Sequence, residues 1–232
     1  MTITDLGTNL QGGYASGSGT STLTWTPPLS TDGDLHILHV LSGRPIRYSP
    51  SSPTISDLAG WTPVYDVEWE DYPGFGWLRR SRAWIRYYAS GDPDPSVTCA
   101  GMKSGVVWGG ELTAFRGPAG GLASVTLSQP PPSTDPWTAT DPGATATQMN
   151  ILVRNVPHVA ITGSWTPDAS WDGGHKREIA PPGSVYLAYR EGPASAGTIS
   201  LVSGGGANDL CHVLTIDMAP RRTGWAVGRL AW

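Results

Sequence analysis

The chain has 232 residues, of which 15% are charged, and its formal net charge is −4. Because binding to a phosphate backbone relies on a strongly basic surface, this composition argues against a nucleic-acid partner. No apolar run reaches the roughly 18 residues that indicate a membrane-spanning helix, so we expect no insertion into a membrane.

The chain has 30 Gly and 21 Pro, many of which separate short runs of Val, Ile, Leu, Trp and Tyr. This pattern is typical of many short strands joined by turns. A β-sandwich of this length is commonly one domain, with enough buried surface to fold without a cofactor or disulfide. Cys99 and Cys211 lack the spacing of a metal or redox pair, so we expect two buried thiols and no cofactor.

Residues 1–21 are rich in Gly, Ser and Thr and are predicted to form an extended N-terminal arm. The arm has neither the basic start nor the apolar centre of a signal peptide. We therefore expect synthesis in the cytoplasm and any later exposure outside the cell by another route.

The first strong strand is LHILHVLSG, and its nearly continuous apolar residues predict a strand covered on both faces. The segments PVYDVEW and SRAWIRYYA then alternate with the period of two of a half-exposed strand. EDYPGFG between them supplies turn residues, so the two segments are predicted to form an antiparallel hairpin.

The hairpin contains the best candidate for catalysis, because paired carboxylates can hydrolyse glycosidic bonds. Asp66, Glu68 and Glu70 occupy one face of their strand, however, and the arginines occupy one face of the partner strand, so the two sets are predicted to pair across the hairpin. Pairing lowers the pKa of a carboxyl group, whereas a general acid needs a raised pKa. We expect no enzyme activity here. The residues are Asp66, Glu68, Glu70 and Asp71 with Arg80, Arg82 and Arg86.

Eight more strands are predicted downstream, separated by turn-forming segments. They are SVTCAG, VVWGGELTAFRG, ASVTLSQ, MNILVRNV, VAITGSW, SVYLAYRE, GTISLVSG and CHVLTIDMA. The fold class is therefore all-β, an antiparallel β-sandwich of jelly-roll type with about ten to twelve short strands and little or no helix.

The two halves of the predicted sandwich, 22–117 and 118–218, resemble each other faintly. GDLHILHV, GWTPV, AWIRYYASG and GELTAFRG have counterparts in MNILVRNV, SWTPD, VYLAYREG and HVLTIDMA, which aligns Trp61 with Trp165. Either a small unit is duplicated or two similar half-sheets fold into one sandwich. We favour the second, since each half alone has few core positions.

The five histidines show no paired ligand spacing, and no nucleophile motif has the strand–turn–helix context that it needs. No catalytic, cofactor or metal site is therefore predicted, and the aromatic residues are the remaining candidates. Of the eleven tryptophans, Trp25, Trp61, Trp84 and Trp108 lie in strand patterns and are expected in the core. Others occur at strand ends or in loops, where they could contact a subunit or a glycan. The candidate contact residues are Trp69, Trp77, Trp165, Asp168, Trp171 and Asp172.

Residues 219–232, APRRTGWAVGRLAW, follow the last predicted strand and combine basic with aromatic residues. Such a segment could dock on a neighbouring chain by strand addition or by filling a groove. The candidate docking residues are Arg221, Arg222, Trp225, Arg229 and Trp232.

The succession GDLHILHVLSG, GWTPV, AWIRYYASGDPDPSVTC and GGELTAFRG resembles a jelly-roll-like β-sandwich module of tail and virion proteins of tailed bacteriophages, in particular those of actinobacterial hosts. The resemblance covers residues 33–117 well and the second half loosely. His36, His39 and the Trp-rich hairpin depart from the pattern.

The resemblance implies a non-enzymatic structural protein of the virion, a minor tail protein at or near the tail tip. Its partners would be other virion proteins, including copies of itself. A capsid decoration protein of the phage head is the alternative within the structural class. An adsorption module that binds host cell-wall glycan is the alternative from another class.

Overall fold

A computed structural model describes residues 3–14, 19–45, 53–71, 77–102, 107–117, 120–128, 137–156, 171–180, 183–201 and 210–218. These residues contain fifteen strands and no helix, which confirms the all-β prediction. The strands are β1 (Thr4–Tyr14), β2 (Gly19–Thr24), β3 (Leu35–Pro45), β4 (Thr54–Ile55), β5 (Thr62–Asp71), β6 (Trp77–Tyr87), β7 (Ser96–Met102), β8 (Val107–Arg116), β9 (Leu122–Ser128), β10 (Trp137–Asp141), β11 (Gln148–Val156), β12 (Asp172–Ala180), β13 (Gly183–Glu191), β14 (Gly197–Leu201) and β15 (Leu210–Asp217).

The strands form four antiparallel sheets in layers. Inner sheet 1 has the order β1-β8-β3-β6-β5, and inner sheet 2 has the order β12-β13-β11-β15-β9. These two sheets pack face to face. Outer sheet 1 (β2-β7-β4) covers the other face of inner sheet 1, and outer sheet 2 (β10-β14) covers the other face of inner sheet 2.

Strand β3 shows why its sequence is apolar at nearly every position. Leu35, Ile37 and Leu41 point into the shared core between the two inner sheets. Leu38 and Val40 point the opposite way, into the cluster under outer sheet 1. The prediction of a strand covered on both faces is thus confirmed.

Tryptophans anchor the cluster under outer sheet 1. Trp25, Trp61, Trp84 and Trp108 are all buried there, as the sequence predicted. Trp25 reaches across to the strand below, because its indole Nε1 donates a hydrogen bond to the carbonyl oxygen of Gly110 at 3.0 Å. Buried indole groups need such a partner.

The two halves of the chain repeat one topology. Inner sheet 2, taken from β9, has the order β9-β15-β11-β13-β12, which matches β1-β8-β3-β6-β5 strand for strand. β10 and β14 correspond to β2 and β7, while β4 has no counterpart among the described strands. β1 lies against β12 and β5 against β9, so the halves contact each other reciprocally, as subunits of a twofold dimer do.

The strand registers refine the internal alignment. His36 on β3 pairs with Arg86 on β6, and Asn150 on β11 pairs with Arg190 on β13. Each arginine also lies over the tryptophan directly before the neighbouring strand, Trp61 or Trp171, so these positions are equivalent. Three of the four aligned segments in the sequence lie on equivalent strands. The alignment of Trp61 with Trp165 is different, because the tryptophan directly before β12 is Trp171.

The predicted N-terminal arm is wrong in one respect, since most of it is part of the sheets. β1 pairs with β8 from Thr4 to Tyr14, and β2 pairs with β7. Apolar and polar residues alternate only weakly in β1 and β2, so the sequence did not predict either strand. Their backbone groups nevertheless form hydrogen bonds with β8 and β7, whose own groups would otherwise face water.

The number of strands exceeds the predicted ten to twelve for the same reason. β1, β4, β10 and β12 lie in segments that the sequence assigned to the arm, to turns or to loops. The predicted strand VAITGSW lies outside the described residues.

Cys99 and Cys211 are buried, reduced thiols, as expected. They lie far apart, in the outer clusters of the first and second half. Burial raises the pKa of the Cys99 thiol to about 12, so this group stays protonated and packs as a small apolar residue.

Candidate functional site

The hairpin of β5 and β6 places its acids opposite its arginines. Asp66 is paired in register with Arg82, and Glu68 with Arg80. Arg80 donates two hydrogen bonds to Asp66, from Nε at 2.8 Å and from Nη2 at 2.7 Å. Hydrogen bonding to Asp66 raises the pKa of the Arg80 guanidinium, against the opposing effect of burial.

Arg82 extends this ion-pair network toward β4. Its Nε lies 3.1 Å from Oδ2 of Asp66, and its Nη2 lies 2.5 Å from Oδ1 of Asp57. Nη1 donates to the carbonyl oxygen of Ile55 at 2.6 Å. The predicted pairing of acids with arginines is thus confirmed for Asp66, whose carboxylate is held by two guanidinium groups.

Arg86 has a different role from the one that the sequence predicted. Its Nε lies 3.4 Å from Oδ2 of Asp92, in the turn after β6, and its guanidinium lies over the Trp61 ring, 4.6 Å from the centroid. Arg86 therefore contacts the start of β5 and the turn after β6, and these contacts do not involve the acids of the hairpin.

The second half contains an equivalent contact between an arginine and a tryptophan. The Arg190 guanidinium lies over the Trp171 ring, 4.5 Å from the centroid, and pairs with Asp141. Both charged side chains are buried. Trp171 was a candidate exposed contact, but it is only 7% exposed and packs in the core under outer sheet 2. Its position directly before β12 matches that of Trp61 before β5, which explains the burial.

A polar cluster lies in the shared core between the two inner sheets. Nε2 of His39 is 2.8 Å from Oγ of Ser81, and the rings of Tyr65 and His212 stack with centroids 3.6 Å apart. Oγ of Ser81 lies 3.4 Å from the hydroxyl of Tyr65. Because Tyr65 belongs to the first half and His212 to the second, the stack joins the halves.

Both histidines of this cluster are completely buried. Burial lowers the pKa of His39 to about 3. Burial, and to a lesser degree the neighbouring His39, lowers the pKa of His212 to about 3. Both rings are therefore neutral at pH 7.

Glu111 on β8 lies directly opposite His39 on β3, which brings a serine, a histidine and a glutamate together. This is the composition of a hydrolase triad. Ser81 and His39 are 0% exposed and Glu111 is 1% exposed, however, so the serine oxygen faces the interior of the sandwich. The arrangement presents no nucleophile to a substrate and serves as a polar link within the core.

Most of the predicted contact residues fall at the margin of the described structure. Trp69 lies in β5 opposite Arg79, and Trp77 begins β6 opposite Asp71. Asp172 begins β12 and pairs with Tyr189. The residues outside the described ranges are Trp165, Asp168, Arg221, Arg222, Trp225, Arg229 and Trp232.

A surface groove lies beside β1 and was not predicted from the sequence. Leu6–Leu10 and Thr26–Leu29 line a groove of about 410 Å³. Leu29 at its rim is 93% exposed. The only sequence signal was the Pro-Pro-Leu of the loop before β3, because the Gly- and Thr-rich strand beside it was interpreted as an arm.

Neither a metal site nor a membrane span is present in the part of the chain that the structure describes. No group of three His, Cys, Asp or Glu side chains there could hold a metal ion. The same residues include no helix with the length and apolar character needed to cross a bilayer.

Comparison with known proteins gives no relative: no family model, no curated protein and no solved structure matches the chain.

Proposed function

We propose that this protein is a non-enzymatic structural subunit of a tailed-phage virion, a minor tail protein at or near the tail tip. It contacts other virion proteins and further copies of itself, and it reaches the outside of the cell as part of the particle. Its first half is a jelly roll, for which the nested antiparallel pairs β1·β8, β2·β7 and β3·β6 are the support.

The observation that best supports this proposal is that the polar side chains that could catalyse a reaction are buried or held in ion pairs within the described residues. The serine, histidine and glutamate that could form a catalytic set face the interior, and Asp66 is held by two arginines. The inner sheets also end in strands that are paired on one side only among the described residues, such as β5 and β9, and Leu127 on β9 is exposed. A layered body with such strand edges suits assembly, and the resemblance of residues 33–117 to modules of phage virion proteins favours assembly into a virion.

The test is to locate the chain in particles. Particles are purified by density from a lysate of the phage or prophage that encodes the chain, heads are separated from tails, and mass spectrometry measures its peptides in each fraction. We expect the chain in the tail fraction. Isotope-labelled purified chain, added to the lysate, controls for passive adsorption and should stay out of the particles.

Other outcomes have distinct meanings. Recovery with heads would support the capsid decoration protein instead. Absence of the chain from both fractions would contradict a virion role.

The glycan-binding alternative now depends on Trp69, Trp77 and Trp165, since Trp171 is buried and Trp165 lies outside the described residues. Trp69 and Trp77 lie beside the hairpin turn on neighbouring strands. Binding of the purified chain to host cell-wall polysaccharide, lost in the variants Trp69→Ala and Trp77→Ala, would favour adsorption over a purely structural role.

A further inference from the structure

The outer edge of β1 has no partner strand among the described residues. β1 is the terminal strand of inner sheet 1 and pairs with β8 on one side only, from Thr4 to Tyr14. Such an edge offers a row of backbone donors and acceptors, to which an extended peptide can add as a further strand.

The groove follows β1, because five consecutive residues of the strand, which face alternately to the two sides of the sheet, line it. Its walls are the strand residues Leu6–Leu10 and the loop Thr26–Leu29. Nδ2 of Asn9 donates to the carbonyl oxygen of Thr26 at 2.9 Å, which holds the loop beside the strand. Leu29 is 93% exposed, so the groove combines backbone groups with apolar surface that an occupant would cover.

The segment 219–232 has the chemistry of such an occupant. It contains three arginines and two tryptophans but no acidic residue, in a chain whose net charge is −4. Carboxylates flank the groove: Asp5 directly precedes Leu6, and Asp94 accepts a hydrogen bond from the Thr26 hydroxyl at 3.1 Å. Charge and apolar surface therefore match on the two sides.

The segment also starts at the correct end of the sandwich. Met218, which precedes it, is buried in the same core cluster as Ile3, the residue before β1. Ile3 N donates to Oε1 of Glu191 at 2.6 Å, and Met218 N donates to the Thr147 carbonyl at 2.6 Å. Both residues thus lie at one end of the inner sheets.

The length of the segment allows it to reach the groove. β15 is three strands from β12, and β12 lies against β1. Three strand spacings amount to about 15 Å, which residues 219–224 can cross because six extended residues span about 20 Å. Residues 225–232 then remain to lie along β1.

We infer that residues 219–232 dock in the β1 groove of their own chain and extend inner sheet 1 by one strand. Attachment at Met218 keeps the segment at a high effective concentration near the groove, which favours the chain's own segment over that of a neighbouring chain. This inference concerns the isolated chain and does not depend on virion assembly.

The experiment places a photo-cross-linking amino acid, benzoylphenylalanine, at position 29 of the full-length chain. Leu29 is nearly fully exposed, so the fold should tolerate the change. The control carries the same group at Leu127, an exposed residue of β9 on the opposite edge of the sandwich. Mass spectrometry identifies the cross-linked peptides after irradiation of a mixture of ¹⁴N- and ¹⁵N-labelled chains.

We expect cross-links from position 29 to residues 219–232 within one copy, at a yield at least several-fold above that from position 127. Trp225→Asp in the same background should lower the yield several-fold. Cross-links to 219–232 of a differently labelled copy, cross-links to other segments only, or equal yields from both positions would each overturn the inference.

Discussion

At the scale of single residues, His39 and His212 decide how the core responds to acid. Both rings are buried between the inner sheets, one held by Ser81 and the other stacked on Tyr65. A charged imidazole at His212 would lose its hydration without gaining a hydrogen bond, because neither of its ring nitrogens is bonded within the described residues.

This burial predicts a pH dependence of stability. The pKa values of His39 and His212 are about 3 in the folded chain and 6.5 when unfolded. The unfolded state therefore binds more protons between these values, and stability is retained above pH 6.5 and lost as the pH falls toward 3. Each histidine should contribute a loss of roughly 1.4 kcal/mol per pH unit within that window.

Urea unfolding at pH 7, 6, 5 and 4 measures this loss. The variant His212→Phe keeps an aromatic ring beside Tyr65 but cannot be protonated. As the pH is lowered from 7 to 4, its free energy of unfolding should therefore decrease less steeply than that of the unchanged chain. Equal slopes for the variant and the unchanged chain would contradict the assignment to His212.

At the scale of elements, the pairing of β3 with β8 depends on a glycine. A β-carbon at Gly110 would overlap the backbone carbonyl oxygen of His39, and the methyl of Val40 lies close as well. The same residue accepts the hydrogen bond from the Trp25 indole. Gly110 therefore allows the approach of β3 and fixes the tryptophan of the adjacent layer.

We expect Gly110→Ala to lower the free energy of unfolding by about 3 kcal/mol, because the clash is with backbone that cannot rotate away. Gly197→Ala is the matched control, since a β-carbon there meets nothing within 4 Å; its effect should stay within about 0.5 kcal/mol. Chemical denaturation of the two variants gives the comparison. Similar losses would show that the overlap is relieved by a backbone shift.

Elements with strong local signals could be predicted from the sequence, whereas elements formed by pairing could not. The apolar strand β3 and the hairpin of β5 and β6 were correctly placed, because alternation and turn residues define them locally. β12, with the sequence DGGHKREIA, reads as a loop, and its strand form depends on β13. β1 likewise depends on β8.

In the candidate site, too, features with local sequence signals could be predicted and features formed by distant segments could not. The pairing of Asp66 with arginines follows from two alternating strands and was predicted. The burial of Trp171 was missed, because its equivalence to Trp61 appears only once the sheets are aligned by register. The groove beside β1 also needs two segments that are distant in sequence.

At the scale of the whole molecule, the two halves share one core. Ile37 and Ile85 of the first half pack with Ile151 and Leu214 of the second. Separation of the halves would expose this surface to water, so neither half should unfold without the other.

Ile151→Ala tests this coupling, since Ile151 is fully buried on the second-half side of the shared core. The loss should be about 2–5 kcal/mol. Hydrogen exchange measured by mass spectrometry should show faster global opening equally in peptides from β3 and from β11. Two separate thermal transitions, or unchanged protection in β3, would contradict the shared core.

The reciprocal contact of the halves has a consequence for how the molecule can vary. In a symmetric homodimer each substitution appears twice, so both faces must change together. Here the two units are covalently joined, and each position changes alone: one outer sheet has a third strand and a cluster of four tryptophans, while the other is described with two strands. The chain can therefore keep one common interior and present different faces to unlike neighbours.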